Sequence, residues 1–426
     1  MYCGNCLRDN ALVAQWNRLG HDACMVPLYL PLTLDEPDQG NKVPLFFGGV
    51  NVFLDYKIPW LWRFVPTIVR KLFDSRTLLK SIGKKVSKTN PADVGALTVS
   101  MLQGDNGHQR RELRELSDWL AKEQKPDVVV FSNALLLGAH HHIRNATGAK
   151  TVCLLTGEDT FLDQLPEPHR NRAWNLIRNH VRQIDLLIAP SRYYADLMTE
   201  RLELPPQRIQ VVYNGINTEG FEDDTKTGGI AESHRPPTLG FFARMCTDKG
   251  LDRLVDAFIE IRRRNKIPAL KLKIGGNLNP WNESLVRQLK QKLQNENILQ
   301  DVQFCPNISR TEKIQFLRSL DVFSVPAVCH EPFGFYVIEA LAAGVPVVLP
   351  AQSAFPELIE MSGGGVLFAP EDRLALVEAL ERLFADGSER RLLGVSGRRS
   401  ALEFFSIERA AQETLHWIAN DVSSTV

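Results

Sequence analysis

Short, continuously apolar runs alternate along this chain with longer amphipathic stretches, and this alternation restricts the fold more than any other feature. The runs at 127–131, 150–155, 184–188 and 209–213 read as strands, with helical stretches such as 108–123 and 171–182 between them. A strand that is apolar throughout is buried on both faces, which is the condition of a parallel sheet covered by helices on each side. The pattern stops in a polar stretch at 222–237, which contains Gly228-Gly229 and Pro236-Pro237 and reads as a linker. It then restarts at 239–242, 270–274, 302–304, 322–325, 345–348 and 366–368, followed by a last helix at about 407–419. For a chain of 426 residues the expectation is two tandem doubly wound α/β domains with a cleft between them. The boundaries fall at 1–220, a linker at 221–236, 237–400, and a terminal segment at 401–426.

Bulk properties exclude several classes. The formal net charge is zero, so attraction of the whole molecule to nucleic acid is not expected. No apolar run reaches the roughly 18 residues of a membrane span, and no leader-like segment precedes the first motif. The seven cysteines are odd in number and stand mostly in strand-like runs, which reads as reduced thiols in a cytoplasmic protein. Residues 60–73 mix Trp60, Trp62, Phe64 and Phe73 with Arg63, Arg70 and Lys71. They fit either a helical insertion packed on the first domain or a peripheral contact with a membrane surface or lipid-linked ligand.

The N-terminus departs from the pattern. Residues 4–18 read as a loop entering a helix and 22–30 as a strand, with no strand before them. The first strand of a doubly wound sheet is central. The expectation is therefore that the first strand is missing, and that Met1 is an internal methionine or a misassigned start.

The second domain carries the densest chemistry. Cys329-His330-Glu331-Pro332-Phe333-Gly334-Phe335-Tyr336-Val337-Ile338-Glu339 places two glutamates around a glycine turn in apolar surroundings. Charges in such surroundings need partners. A turn opening a helix at the end of a parallel strand would aim both at the crevice where open α/β sheets bind ligands. Arg244-Met245-Cys246-Thr247-Asp248-Lys249-Gly250 follows the first strand of this domain, so Arg244 and Lys249 stand before a helix N-terminus. Two cations and a helix dipole suit a diphosphate. Gly275-Gly276 occupies the equivalent loop after the next strand.

Taken together, these motifs resemble the donor domain of retaining glycosyltransferases of the large family-4 type, the group that includes sucrose-phosphate synthase and bacterial mannosyltransferases. The resemblance extends over nearly the whole chain through Ser191, through Asn214-Gly215-Ile216-Asn217 and through Gly344-Val345-Pro346-Val347-Val348. It implies the GT-B fold of two Rossmann-like domains, with the terminal helix crossing back to the first. It also implies roles. Arg244 and Lys249 bind the donor diphosphate, Glu331 contacts the sugar hydroxyls and Glu339 holds the ribose. The backbone at Phe333, Gly334 and Phe335, with Gly275 and Asn214, completes donor binding.

The first domain matches less closely. Where the family has a Gly-Gly loop, this chain has Tyr2-Cys3-Gly4-Asn5, and Gly4, Asn5 or Arg8 are candidates for ligand contact. Cys3 and Cys6 have metal-like spacing without a second ligand pair, so they read as loop thiols. The family's usual histidine falls at Thr156, followed by Gly157-Glu158-Asp159. Glu158 and Asp159 are candidates for acceptor binding, or else cap the next helix or form a loop salt bridge. In His140-His141-His142, adjacent helical side chains diverge, which argues against one shared metal ion.

The expected activity is transfer of a hexosyl group from a nucleotide-diphosphate sugar to an acceptor hydroxyl, on a saccharide or a lipid-linked acceptor, in glycan biosynthesis. The resemblance implies retention of anomeric configuration. No cofactor is expected beyond the donor itself. No Asp-x-Asp stands in a phosphate loop, so no metal is required. The alternatives are a non-catalytic or truncated sugar-nucleotide-binding protein, or a nucleotide-sugar epimerase on the same fold.

Overall fold

The structure is a computed structural model that describes residues 4–28, 36–40, 43, 91–222 and 235–421. The chain forms two compact units. The first comprises Met1–Pro190, Ala195–Val212 and Ala411–Val426, and the second Ser191–Tyr194 and Tyr213–Ala410.

Among its described residues the first unit holds four parallel strands in sequence order: β1 Val128–Phe131, β2 Lys150–Leu154, β3 Leu186–Ala189 and β4 Ile209–Val211. Its helices are α1 Gly4–Arg18, α2 Pro91–Leu102, α3 Arg110–Trp119, α4 His140–Thr147, α5 Glu158–Asp163 and α6 His169–Val181, and it shares α7 Arg192–Arg201 with the second unit. Cys153, Leu187 and Ala189 are fully enclosed, as expected for strands covered on both faces.

The strand expected at 22–30 does not form over 22–28, and its last two residues lie outside the described ones. The reason is local. The Asn17 side chain accepts from the Ala23 N–H and donates to the Ala23 carbonyl, both at 2.9 Å, so a helix side chain takes the groups a strand partner would use. Asp22 and Cys24 are exposed, and Pro27 has no N–H to donate. The aromatic and basic stretch at 60–73 lies outside the described residues.

His140 lies in the core of the first unit. Its Nδ1 faces the Leu137 carbonyl at 2.9 Å, and its ring stacks at 4.0 Å from that of exposed His141. Burial, with the nearby His141 and His180 rings, lowers its pKa to about 4. The unfolded chain therefore takes up a proton here near pH 6.5, while the folded chain resists until about pH 4. The associated stability is fully present above pH 6.5 and is lost progressively as pH falls toward 4. Denaturant unfolding of the first unit across that window should show the slope, and His140→Gln should flatten it.

The second unit holds six parallel strands: β5 Thr238–Phe242, β6 Lys271–Gly276, β7 Val302–Pro306, β8 Val322–Ser324, β9 Val347–Pro350 and β10 Gly365–Phe368. Their order across the sheet is β10-β9-β8-β5-β6-β7. The helices are α8 Leu251–Arg264, α9 Glu283–Asn295, α10 Arg310–Arg318, α11 Phe335–Ala342, α12 Phe355–Ser362, α13 Arg373–Ala385 and α14 Gly387–Phe404. Leu239, Phe241, Leu272, Ile274, Val322, Phe323 and Val347 to Leu349 are all fully buried and make the core.

In this order the chain first builds outward from β5 through β6 to β7, then returns to place β8 on the other side of β5. The point between β5 and β8 is the topological switch, where loops leave the sheet in opposite directions and open a crevice at the carboxyl ends of the strands.

The last helix, α15 Ile407–Asp421, starts in the second unit and from Ala411 belongs to the first, where the Trp16 indole N–H donates to the Ala411 carbonyl at 3.2 Å. Within the second unit the two chain crossings are tied together. The Ile216 N–H donates to the Phe405 carbonyl, and the Ile407 N–H returns to the Ile216 carbonyl, each at 2.9 Å.

Candidate functional site

The loops leaving β5 and β8, the two strands at the switch point, carry Arg244, Lys249 and Glu331. Backbone bonds knit these loops: the Asp248 carbonyl accepts from the N–H groups of Val328 at 2.9 Å and Cys329 at 3.3 Å. Gly250, which ends the first loop at φ +69°, completes the fit. A Cβ there would lie 1.9 Å from the Pro326 carbonyl oxygen, so only glycine lets the two loops meet this closely.

Lys249 and Glu331 form a buried ion pair. Nζ stands 2.5 Å from Glu331 Oε2, and each side chain keeps only 11% of its surface exposed. Burial opposes the ammonium, yet the Glu331 carboxylate outweighs it, and the Lys249 pKa is raised above the usual lysine range. The Cys329 thiol lies 3.8 Å from the same nitrogen, and burial raises its pKa. Arg244 is exposed, and its side chain makes no hydrogen bond or ion pair among the described residues, so its guanidinium is available to a ligand.

The backbone around Glu331 is fixed at successive points. Its carbonyl accepts from the Ala354 N–H at 3.2 Å, and the next carbonyl, of Pro332, accepts from the buried Ser191 hydroxyl at 2.7 Å. Gly334 then precedes α11 at φ +95°, a left-handed conformation that L side chains rarely adopt, and turns the chain so that the helix N-terminus follows directly. The Phe333 ring is core, packed against the Phe335 and Phe405 rings at 5.4 and 5.9 Å, so its contribution to a ligand is its backbone. Asn214 is partly buried beside Tyr213.

Glu339 stands within α11 with a cation of its own. Its carboxylate pairs with Lys313 of α10 at 2.6 Å. Lys313 is a functional candidate that sequence reading missed; only the capping box formed by Ser309 and Glu312 marked the start of its helix. Gly275 and Gly276 belong to β6 rather than to the loop expected after it, with Gly275 lying against the Phe242 ring. A side chain there would collide with that ring, so the packing demands the glycine.

Glu357 was also missed. It is buried at the start of α12, where its carboxylate accepts from the backbone N–H groups of Arg192 at 2.9 Å and Tyr193 at 3.1 Å and from the Tyr213 hydroxyl at 2.5 Å. Burial and this carboxylate push the Tyr213 pKa up. Nothing near 357 in the sequence announces partners at 192 and 213.

In the first unit, the acceptor-side candidates gather at the carboxyl ends of β1 and β2. The Asn5 amide donates to the Thr156 hydroxyl at 3.1 Å, joining the start of α1 to the loop after β2. Glu158 is buried, and its oxygens accept from the Ala134 and Thr156 N–H groups at 2.7 Å each. It therefore acts as a clasp between loops rather than as a cap of α5, whose N-cap residue is Gly157 with no side-chain cap bond, and Asp159 is fully buried beside it. Gly4 begins α1 and is exposed. Arg8 is buried on Asp9 and the Ser132 carbonyl. Of the Cys3 and Cys6 pair, Cys3 lies outside the described residues and Cys6 is half-buried in α1. Against the expected divergence, the His140 and His141 rings lie 4.0 Å apart, and only His142 turns away, to Asp105 at 2.9 Å. No helix among the described residues is long and apolar enough to cross a membrane.

Comparisons with known proteins identify the family. The family model for glycosyl transferases group 1 matches residues 223–400, and that for glycosyltransferase family 4 matches 91–219. The chain belongs to the family-4 type of GT-B glycosyltransferases. Among curated relatives, the alpha-maltose-1-phosphate synthase of Mycolicibacterium smegmatis is 29% identical over 269 residues, which is 59% of this chain and 67% of that protein. Against several other curated relatives it matches, the chain spans only about half of their length. Two solved structures share the fold. Sucrose-phosphate synthase from Thermosynechococcus elongatus aligns at a TM-score of 0.62 and 20% identity, over 75% of this chain and 79% of its own. HepE from Anabaena, solved in complex with UDP, aligns at 0.62 and 16% identity, over 93% and 100%. These likenesses support the GT-B fold for this glycosyltransferase.

Proposed function

We propose that this glycosyltransferase moves a hexosyl group from a nucleotide-diphosphate sugar to an acceptor hydroxyl, with retention of anomeric configuration and without a metal or added cofactor. The observation that carries this reading is the grouping of Arg244, Lys249 and Glu331 on the two loops of the switch point. Relatives named as a maltose-1-phosphate synthase and as D-inositol 3-phosphate glycosyltransferases, and a neighbour solved with UDP-glucose, support a nucleotide-sugar donor.

In this reading, Arg244, the N-termini of α8 and α11, and Lys249 receive the diphosphate and stabilise the charge that builds on it as it leaves. Lys249 exchanges its bond to Glu331 for one to phosphate. Glu331 accepts from sugar hydroxyls, and Glu339, braced by Lys313, accepts from the ribose. The leaving phosphate takes the acceptor proton. On the first unit, the partly exposed Asn5 and Thr156 offer hydroxyl contacts, while Glu158 and Asp159 shape that loop from beneath. The acceptor is a saccharide or a lipid-linked hydroxyl.

The test is a screen of UDP-glucose, GDP-mannose and ADP-glucose with an acceptor panel, in buffer containing EDTA. Nucleotide release with the product anomer matching the donor by NMR is the expected result. Nucleotide binding without release would make this a binding protein, and an inverted product would remove the retaining assignment. Glu331→Gln should slow transfer at least about 100-fold. It also frees Lys249 from its carboxylate, so nucleoside diphosphate affinity should hold or rise. An equal loss of nucleotide binding would reverse the roles of Glu331 and Glu339.

A further inference from the structure

Tyr336 carries a contact that none of the roles above uses. It is the second residue of α11, and its hydroxyl donates to Glu331 Oε2 at 2.6 Å, the same oxygen that Lys249 holds. The ring is fixed by its neighbours: the Phe323 and Phe355 rings lie 6.4 and 6.5 Å away, and Lys249 Nζ lies 5.6 Å from its centroid. Glu331 thus has two donors on one oxygen, one of them a charge and the other a neutral phenol.

These two donors differ in what a diphosphate does to them. An ammonium is a mobile charge on a flexible stem, and a doubly charged phosphate competes for it strongly. A phenol on a packed ring has no such competitor and stays in place. When Lys249 turns to phosphate, Glu331 would lose its only charged partner just as its orientation begins to matter. A buried carboxylate left without a donor turns or takes up a proton.

We propose that Tyr336 is the positioning residue for Glu331: its hydroxyl keeps Oε2 fixed after Lys249 has left, so that Oε1 remains directed to the sugar. Burial and the adjacent Glu331 carboxylate raise the Tyr336 pKa well above the usual phenol range, so the hydroxyl remains a donor throughout neutral and mildly alkaline conditions. The contact spans only five residues, and Gly334 supplies the left-handed turn that folds Glu331 back over the first turn of the helix.

This inference rests on the donor reading of the site, and its test separates the two. The full chain and its Tyr336→Phe, Glu331→Gln and double variants are compared for UDP and GDP affinity by calorimetry, and for kcat and KM with the donor that the parent turns over. Tyr336→Phe keeps the ring and its packing, so its thermal midpoint should stay within a few degrees of the parent. Nucleoside diphosphate affinity should change less than about threefold, while kcat falls about 10- to 100-fold, the weight of one hydrogen bond to a charged group. In the Glu331→Gln background the same substitution should change kcat by less than about twofold, because the group it positions is no longer a carboxylate. A Tyr336→Phe enzyme with the parent's kcat overturns the assignment alone. Additive losses in the double variant also overturn it, since the phenol would then act independently of Glu331. A parent that binds no nucleotide overturns the reading of the site and this inference together.

Discussion

Replacing Lys249 by alanine is expected to lower turnover by about two to three orders of magnitude, the loss typical of removing one donor to a developing negative charge. The same substitution leaves Glu331 buried without its cation, and breaking such a pair from one side costs about 3–5 kcal/mol. Lys249→Ala should therefore lose both activity and stability, whereas Arg244→Ala should lose activity alone, because its exposed guanidinium has no partner among the described residues to strand. Steady-state kinetics paired with denaturant unfolding of the two variants checks the contrast. If both keep parental activity, the diphosphate assignment is wrong. If Lys249→Ala is as stable as the parent, the ion pair contributes nothing to the fold and Glu331 accommodates in another way.

Glu357→Ala is expected to have the largest effect on the second unit away from the reacting groups. Two backbone N–H groups and a phenol converge on this one buried carboxylate. Truncation leaves these three donors without their acceptor, each at about 1–3 kcal/mol, so a total loss of about 3–9 kcal/mol is expected. Glu357→Gln should recover part of it, since the amide oxygen can still accept while the amide nitrogen cannot. Tyr213→Phe removes one donor and should cost far less. Urea unfolding of the three variants separates these amounts, and a Glu357→Ala midpoint equal to the parent's would show that these bonds are replaced by water at no cost.

The strands of both units were legible because each is buried on both faces and so carries its signal within its own few residues. All four in the first unit and all six in the second stand within a few residues of their expected places. The false strand over 22–28 shows the limit of that reading. Its apolar residues suited a strand, but Asn17 took its backbone groups, and a side chain that bonds to local backbone competes with a ladder in a way composition does not reveal.

The candidate site was legible in its parts. Arg244, Lys249, Glu331 and Glu339 stood out as charges beside turns in apolar surroundings. Their pairing was not. Lys249 meets Glu331 across 82 positions, Lys313 meets Glu339 across 26, and Arg192 meets Glu357 across 165. Sequence periodicity reports which face of an element is apolar, but it carries no information on which distant element will cover that face.

The amino-acid sequence by itself determined the class of fold, the approximate place of every strand in the two sheets and the residues that mark the family, because each of these follows from burial and turn chemistry over short spans. Tertiary structure alone decided that β5 and β8 are neighbours at the switch point, that Lys249 pairs with Glu331, and that Tyr336 and Glu357 hold groups the motifs do not mention. These are outcomes of strand order and close packing, which depend on the whole chain reaching its free-energy minimum at once.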